Sequence, residues 1–406
     1  MRIFGTHDDA TRAQLADVAS RSRKAALMAD GHVGYVMPIG GVAAYDNQVS
    51  VVGVGFDIAC GNAAIRTDLR LEHLGAGQGG TGAAIQQLAG EIAGTVSFGI
   101  GRKNQADDAP TDHPLFLDPA WEAVPPRHRQ ALLDKARAQL GTVGSGNHYV
   151  DLFADENGDL WVGVHFGSRG FGHTVASGFL SLSQNKQWGE RAPENEVLLP
   201  LDAPLGHDYW QLMELAGRYA YAGREWVARK VVSLLGGKEL ELIHNHHNFA
   251  WKERHGGEEL VVVRKGATPA FPGQQGFVGG SMGDDAVIVR GTESSDPDVT
   301  TLQEEALFST VHGAGRVMSR TQAAGKRNRR TGAQTAAGQV TPAMMQEWIE
   351  AKGVVLKGGG LDESPHVYRR LPDVLAAQGP TIEVEHVLRP LVVVMAGANE
   401  WDPYKD

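Results

Sequence analysis

The sequence has a single cysteine, Cys60, among its 406 residues, so no disulfide can form within the chain. A chain of this kind is typical of a reducing compartment, and we therefore expect a cytoplasmic protein. No apolar run approaches the roughly 18–20 residues that a membrane-spanning helix needs. The charged segment from Met1 to Arg12 has no apolar stretch of the kind found in secretory signals. These absences predict a protein that does not associate with a membrane.

Positive charge is also in short supply, since 38 Lys and Arg stand against 48 Asp and Glu for a net charge of −10. The net negative charge argues against strong non-specific binding of nucleic acid. Net charge does not exclude a local basic groove on the surface. The apolar fraction of 42% and the charged fraction of 21% are those of a globular chain.

Helical and strand-like segments are both present. Helices are predicted from a cap at Asp8 or Asp9 towards Met28, from Pro126 to just before Gly141, from Asp208 to Gly236 and from Pro342 to Gly353. Strands are predicted at residues 161–166, 259–263, 286–290, 381–387 and 391–394, and loops at the glycine-rich residues 75–82 and 358–360. Because strands and helices do not alternate strictly, the pattern argues against a doubly wound or barrel α/β fold. We predict one compact α+β domain over residues 1–406, with mixed sheets and helices.

Glycine and histidine are the residues present in excess. Glycine accounts for 52 of 406 residues, about 13% against an ordinary ~7%, without a repeat or low-complexity block. Many of the 16 histidines lie beside glycines. Glycine allows close approach of the backbone, and histidine supplies metal ligands, nucleophiles and proton relays. The combination predicts a central site built from loops.

Five clusters carry this chemistry, at residues 53–62, 144–151, 164–170, 244–248 and 312–320. In the first, Asp57 and Cys60 can converge on one cation. Taken singly, each cluster also fits a structural interpretation. A lone buried cysteine is usually a small hydrophobe, His165 on a strand can be a core histidine, and residues 244–248 can form a solvated turn.

Taken together, the clusters offer a thiolate, a carboxylate and several imidazoles, a ligand set suited to Mn²⁺ or Zn²⁺. Ligands for two cations would allow phosphoryl transfer at a two-metal site. Arginine and lysine side chains that could bind phosphate lie in or beside the same clusters: Arg169, Arg264, Lys265, Arg316 and Arg320. The residues therefore predict a metal-dependent enzyme acting on a phosphorylated substrate, without separating hydrolysis from transfer.

At this point the sequence resembles the RtcB family of RNA-splicing ligases. The resemblance is carried by DGHVG with PIGG (residues 30–41), GVGFDIACG, LGTVGSGNH, HFGSRGFGH, HHNF, RKGATPAFPGQ, GGSMG, HGAGRVMSR and DESP. These motifs follow the family order from about residue 28 to residue 395, nearly the whole chain.

The resemblance implies a site, position by position. It implies that the metal ligands are Asp57, Cys60, His148, His165 and His247, binding two Mn²⁺ ions. It implies that GTP is bound by Asn147, His148, Asp151, His247, Asn248, Gly280, Ser281, Met282, His312, Gly313, Ala314, Gly315 and Tyr368. His312 matches the histidine that the family guanylylates. Arg169, Arg320 and the basic run from Arg320 to Arg330 are candidate RNA contacts, the run being equally compatible with a solvated loop.

The implied activity joins RNA 3′-phosphate or 2′,3′-cyclic phosphate ends to 5′-hydroxyl ends, in RNA repair or tRNA splicing. The partners are broken RNA, GTP and, for some members, an archease-type activator. Two alternatives stay open. One is a two-metal phosphatase or nuclease that forms no nucleotidyl enzyme, and the other is a non-catalytic protein that binds RNA ends.

The chain departs from the family pattern around the guanine. It has Asp151 where glutamate is usual, Ala286 near a usual serine, and Gly279 where a proline is usual. The family's C-terminal lysine has no counterpart at Met395 or Ala396, although Lys405 in the further tail could replace it. We therefore expect weaker GTP binding and poorer discrimination against ATP.

Overall fold

The computed structural model describes residues 1–75, 80–327, 334–398 and 400. The helices are α1 (Asp9–Ala19), α2 (Val51–Val54), α3 (Gly80–Thr95), α4 (Pro126–Gln139), α5 (Arg169–Ser183), α6 (Pro204–Leu235), α7 (Pro297–Glu305), α8 (Arg320–Ala324), α9 (Pro342–Lys352) and α10 (Leu371–Gln378). The strands are β1 (Arg2–Ile3), β2 (Lys24–His32), β3 (Ile39–Tyr45), β4 (Gln48–Ser50), β5 (Gly61–Arg70), β6 (Tyr149–Ala154), β7 (Asp159–Phe166), β8 (Leu198–Pro200), β9 (Glu239–His246), β10 (Asn248–His255), β11 (Glu258–Lys265), β12 (Ala267–Pro269), β13 (Gln275–Val278), β14 (Ala286–Gly291), β15 (Ser309–Val311), β16 (Lys326–Arg327), β17 (Gln334–Ala336), β18 (Val355–Lys357) and β19 (Ile382–Met395). No helix within these described stretches has the length and apolar character to cross a membrane.

Two sheets organise the fold, which is α+β as the sequence predicts. The smaller one has the strand order β1-β2-β3-β11-β10, and the larger one has the order β13-β14-β19-β6-β7-β5-β9 with β18 beside β19. Three further strand pairs are β12-β15, β16-β17 and β4-β8. In the larger sheet, strands from the beginning, middle and end of the chain are neighbours. This interleaving supports one domain, although the boundaries 1–406 stay a prediction.

The two faces of the larger sheet pack against different parts of the protein. On β6, Val150 and Leu152 pack with apolar residues of α3 and α6. The alternate residues Tyr149, Asp151 and Phe153 therefore face the other side, because successive side chains of a strand point to opposite faces. The β13–β14 hairpin covers that other side around Phe153. Tyr149 also packs against this cluster, and Asp151 is buried on the same face of β6.

Strand register brings one end of four neighbouring strands to the same edge. The first residue of β5, Gly61, pairs with Phe166 at the end of β7 and with His246 at the end of β9. Tyr149 at the start of β6 pairs with His165 near the end of β7. Residues just outside these strand ends must therefore gather at this edge, and four of the five histidine or cysteine clusters lie there.

The first helix is shorter than predicted. Asp8 caps it as expected, accepting a hydrogen bond from the Thr11 backbone N–H at 2.7 Å, but α1 ends at Ala19. Met28 lies instead on β2, where residues 25–31 are all buried. A strand buried on both faces reads as an unbroken apolar run, so its sequence does not distinguish it from a continuing helix.

The other boundaries agree more closely with the predictions. The predicted helices starting at Pro126 and Pro342 are confirmed as α4 and α9, and α6 starts at Pro204, four residues before Asp208. The strands predicted at residues 381–387 and 391–394 form one strand, β19, which starts at Ile382. Its register against β6 shifts between Pro390 and Val392. Residues 80–82 open α3 and are not a loop, whereas residues 76–79 lie outside the described residues.

Candidate metal centre and nucleophile

A constrained loop between α2 and β5 carries the first two predicted metal ligands, Asp57 and Cys60. Gly55 has a φ of 92°, and a Cβ on it would lie 1.7 Å from the Nζ of buried Lys265. Only glycine satisfies both conditions. Ala59 has a φ of 61°, which is rare for a residue with a side chain. The backbone from which both ligands project is therefore tightly defined.

All five predicted metal ligands lie together at the common strand edge. Cys60 Sγ lies 3.6 Å from Nε2 of His148 and 3.6 Å from Nε2 of His165. His148 Nε2 lies 3.0 Å from Asp57 Oδ2, and the His247 ring stacks on His165 at 5.1 Å. The donor atoms form two groups, Asp57–Cys60–His148 and Cys60–His165–His247. Both groups contain Cys60, and this set of thiol, carboxylate and imidazole donors would suit two borderline cations.

The charge state of these donors depends on burial. Burial opposes ionisation of Asp57, but the hydrogen bond and charge from His148 outweigh it and hold the Asp57 pKa well below its usual value. Burial, together with the Asp57 charge, raises the pKa of the Cys60 thiol. Burial also lowers the pKa of His165 and His247. The two imidazoles are thus neutral, as a metal-binding imidazole must be, and a bound cation would be needed to ionise the thiol.

Arg169 brings positive charge to the edge of this set. Its Nη1 lies 3.3 Å from His148 Nδ1. A Cβ on Gly144 would lie 1.9 Å from the Arg169 guanidinium, so the glycine of the GSGNH segment makes room for the arginine. Arg169 is therefore placed where a phosphate beside the metal ligands would meet it.

The predicted nucleophile, His312, follows β15 directly and is oriented by Asp30. His312 Nδ1 lies 2.6 Å from Asp30 Oδ2, without the alignment of a full hydrogen bond. The same oxygen accepts the backbone N–H groups of His312 at 3.0 Å and Gly313 at 3.2 Å. Asp30 is fully buried, whereas the His312 side chain is 17% exposed. With Nδ1 facing the carboxylate, Nε2 is the ring nitrogen left for reaction.

His312 lies between the metal donors and the glycine-rich loop at residues 279–282. Its ring centroid is 4.9 Å from that of His247. On the other side, a Cβ on Gly313 would lie 3.4 Å from the carbonyl oxygen of Gly279. The predicted nucleophile, the predicted metal ligands and the predicted nucleotide loop therefore lie together.

Two buried polar side chains, Tyr149 and Asp151, lie on β6 beside the predicted metal donors. Asp151 Oδ1 and Tyr149 OH are both buried without a hydrogen-bond partner. The Tyr149 ring stacks on His165 at 5.3 Å, and a Cβ on Gly279 would lie 2.4 Å from its hydroxyl. Burial raises the pKa of both Asp151 and Tyr149. Buried polar atoms are rarely left unsatisfied, so this pair indicates a polar ligand.

The surroundings of Met395, at a position where the resemblance predicts a lysine in other members, are apolar. Met395 packs with Met282 in a cluster that also contains Ile349 and Val393. Ala286 is likewise a core residue, 1% exposed. Lys405, the predicted replacement for the lysine, lies outside the described residues.

Other predicted nucleotide residues contact neighbouring protein groups. Asn248 Oδ1 accepts the Gly266 N–H at 2.7 Å and its Nδ2 donates to the Asp57 carbonyl at 3.5 Å, so Asn248 braces the metal loop. Ser281 Oγ donates to Asp284 Oδ2 at 2.6 Å. Asn147 is exposed in the turn before His148. Among the remaining positions, Gly280 lies in the 279–282 loop and Ala314 and Gly315 follow His312. Tyr368 pairs with Arg316 through an antiparallel β-bridge. Their contacts with a nucleotide stay predictions.

Two arginines predicted to bind phosphate are engaged with protein carboxylates. Arg320 pairs with Asp362 at 2.9 Å and also with Glu363. Arg316 donates to the Tyr368 hydroxyl at 3.2 Å, and that hydroxyl in turn donates to Glu363. This network ties the segment after His312 to the DESP motif. Arg320 therefore serves the structure of the site, and the rest of the basic run at residues 328–330 lies outside the described residues.

Arg264 is a structural residue as well. It is fully buried and donates to Glu253 at 2.6 Å, to the Leu307 carbonyl at 2.9 Å and to Ser309 Oγ at 2.8 Å. Leu307 has a φ of 52°, so the bond supports a strained turn. Arg264 thereby positions β15, which leads to His312.

Asp30 and Arg224 are functional candidates whose roles the sequence analysis missed. Arg224 on α6 is fully buried and donates to the carbonyls of Ala59 and Phe166, neighbours of the ligands Cys60 and His165. Burial lowers the Arg224 pKa to about 10, which leaves it charged. The sequence indicates both residues, because Asp30 follows an apolar segment and Arg224 lies among the apolar residues of a helix. A charged side chain buried in such a segment needs a polar partner.

The chain is similar to known proteins over most of its length. A family model described as "tRNA-splicing ligase RtcB" matches residues 12–396. The RNA-splicing ligase RtcB of Escherichia coli strain K12 is 30% identical over 392 residues, covering 91% of this chain and 89% of the relative. The tRNA-splicing ligase RtcB of Archaeoglobus fulgidus is 32% identical over 424 residues, covering 86% and 82%. That of Thermococcus kodakarensis is 30% identical over 444 residues, covering 90% and 86%.

Proposed function

This chain belongs to the tRNA-splicing ligase RtcB family, and from that premise we propose that it is a GTP- and Mn²⁺-dependent RNA ligase. It joins RNA 3′-phosphate or 2′,3′-cyclic phosphate ends to 5′-hydroxyl ends through a guanylate on His312. The observation that carries the proposal is the position of His312, with Nδ1 on buried Asp30 and its ring 4.9 Å from the ligand His247. A nucleophilic imidazole beside side chains that could bind two cations is suited to the transfer of a nucleotidyl group.

The residues of this chain perform three steps. His312 Nε2 attacks the α-phosphorus of GTP, forming an N–P bond as pyrophosphate leaves. The RNA 3′-phosphate then displaces His312 and takes the guanylate. Finally the 5′-hydroxyl attacks the activated 3′-phosphorus, GMP leaves, and the new phosphodiester is complete. A 2′,3′-cyclic phosphate is first hydrolysed to the 3′-phosphate.

The donor set would hold two Mn²⁺ ions through Asp57, Cys60, His148, His165 and His247. Bound cations supply positive charge that offsets the phosphates and orients them for in-line attack. Arg169 adds a guanidinium at the same edge, where it would contact a phosphate of GTP or RNA.

The nucleobase would lie in the pocket of Tyr149 and Asp151. Asp151 offers an unpartnered carboxyl oxygen that can accept from the guanine N1–H and amino group. Aspartate is one methylene shorter than the usual glutamate, and the apolar Met395 offers no donor to the guanine carbonyl. GTP would therefore be used with less selectivity than in relatives that have both groups. The proposed reaction also implies a cytoplasmic enzyme and an archease-type activator as a candidate partner.

Two other functions are distinguished by one experiment. Incubation with α-labelled GTP and Mn²⁺, followed by denaturing electrophoresis, should label the protein. A two-metal phosphatase or nuclease would cleave RNA ends without labelling, and a non-catalytic RNA-end-binding protein would do neither. Asp30 behind His312 favours the ligase, because neither alternative uses a covalent histidine.

Replacing Cys60 by serine should remove both cations together, because both donor groups contain its thiol. A serine hydroxyl does not ionise at neutral pH and is a poor substitute for a thiolate. We expect the Mn²⁺ affinity measured by calorimetry to fall at least 10-fold and RNA joining to be lost. The melting temperature should change little. Joining at the wild-type rate by Cys60→Ser would refute the ligand assignment.

Lengthening Asp151 to glutamate should restore part of the base selectivity. A charge-assisted hydrogen bond contributes about 1.5–3 kcal/mol, which corresponds to roughly 10–100-fold in affinity. Asp151→Glu should lower the apparent KM for GTP and raise the ratio of guanylylation by GTP to adenylylation by ATP. The matched change Asp159→Glu, on β7 and outside the pocket, should alter neither quantity. Unchanged selectivity in Asp151→Glu would exclude Asp151 as the base-reading residue.

A further inference from the structure

Each ring nitrogen of His165 has a different neighbour. Nε2 faces the metal donors and lies 3.6 Å from Cys60 Sγ. Nδ1 lies 2.6 Å from Oδ1 of Asn62, a side chain that is 1% exposed. Asn62 is the second residue of β5 and pairs directly with His165 in the register of β5 and β7. The contact is therefore set by the sheet.

The orientation of the Asn62 amide is fixed by a second hydrogen bond. Its Nδ2 donates to the carbonyl oxygen of Phe277 at 2.7 Å, so the amide oxygen must face His165. An amide oxygen only accepts hydrogen bonds. His165 Nδ1 therefore carries the ring proton, and the lone pair of Nε2 is directed at Cys60 and the other donors.

We propose that Asn62 is a positioning residue for the metal centre, fixing the tautomer and ring orientation of His165 so that Nε2 binds the cation. Metal-binding histidines generally donate their second N–H to an acceptor that raises ligand basicity, and loss of that acceptor typically costs about 10–100-fold in metal affinity. The inference rests on the proposed function only for the identity of the metal. The Asn62 side chain is buried and its two amide atoms are bonded to His165 and Phe277.

Asn245 provides a matched control. It lies opposite Asn62 on the neighbouring strand β9, is 3% exposed, and accepts the Phe277 N–H at 3.1 Å. Asn245 thus shares the burial of Asn62 and its attachment to Phe277, but its Oδ1 is bonded to backbone instead of to a histidine. A substitution at Asn245 therefore removes a hydrogen bond to Phe277 without removing a hydrogen bond to His165.

The first test measures Mn²⁺ binding by calorimetry in the absence of RNA and GTP. We expect Asn62→Leu to weaken binding by about 10–100-fold, and Asn62→Asp, which keeps an acceptor for Nδ1–H, to recover most of that loss. Asn245→Leu should bind Mn²⁺ like the wild type, even if its melting temperature falls. Equal affinities for the wild type and Asn62→Leu, or equal losses in Asn62→Leu and Asn245→Leu, would overturn the proposal.

The second test reads the tautomer in metal-free protein and so does not depend on the proposed function. The ¹⁵N shifts of the His165 ring, assigned by their absence in His165→Gln, should show a protonated Nδ1 in the wild type. In Asn62→Leu the proton should shift partly or wholly to Nε2. A wild-type ring protonated at Nε2 would refute the role of Asn62, whereas a wild-type protein that binds no Mn²⁺ but has the Nδ1–H tautomer would refute only the proposed function.

Discussion

His312→Ala should abolish the covalent guanylate, because a phosphoramidate bond requires the imidazole nitrogen. The acid-labile label from α-labelled GTP should fall below detection, and joining of RNA 3′-phosphate to 5′-hydroxyl ends should stop. Mn²⁺ binding should be retained, since the five donor residues are untouched. The fold should also persist, because Asp30 still accepts the two backbone N–H groups of residues 312 and 313.

The same variant should still seal RNA whose 3′ end is supplied already guanylylated, because the last step does not use the covalent histidine. A matched control is His386→Ala, near the opposite end of β19 from Met395, which should leave both labelling and sealing unchanged. Loss of sealing of the pre-activated end by His312→Ala would mean that His312 binds metal or supports the structure instead.

Asp30→Asn should have the second largest effect on the guanylylation of His312. The amide keeps the shape of the carboxylate but lacks its charge, so it neither stabilises a cationic imidazole nor fixes the proton on Nδ1. A comparable change behind the histidine of serine proteases lowers kcat by about 10⁴. We expect guanylylation to slow by about 10²–10⁴-fold, with the effect in the rate of labelling more than in the apparent KM for GTP.

The control for Asp30→Asn is Asp155→Asn, since Asp155 is also a buried carboxylate that accepts backbone N–H groups, from Asn157 and Asp159. Both variants should lose stability, but only Asp30→Asn should lose guanylylation. Sealing of a pre-activated 3′ end should survive in both. If Asp155→Asn slowed guanylylation as much, the effect of Asp30→Asn would arise from lower protein stability and not from a change in the orientation of the His312 ring.

The sequence alone was sufficient for the family and the fold class, and the five residues that it proposes as metal ligands lie close together in the structure. The five candidate ligands lie in four short motifs, three of them rich in glycine. These motifs are recognisable because close backbone approach at positions such as Gly55 and Gly144 leaves little freedom of residue type. The ends of helices and strands were harder to predict from the sequence. The fully buried strand β2 lacks the alternation that marks a half-buried strand, so its residues read as a continuing helix.

Only the tertiary structure decided which residues support the site. Asp30 meets His312 across 282 positions of sequence, and Asn62 meets His165 across 103. It also showed that Arg320 and Arg264 serve carboxylates of the protein, whereas composition and spacing had suggested phosphate. Such pairings follow from strand register and packing, which sum small contributions over the whole chain. A local motif specifies the chemistry a segment can offer, but the partner of a buried charge or amide is set by whichever distant strand the core packs against it.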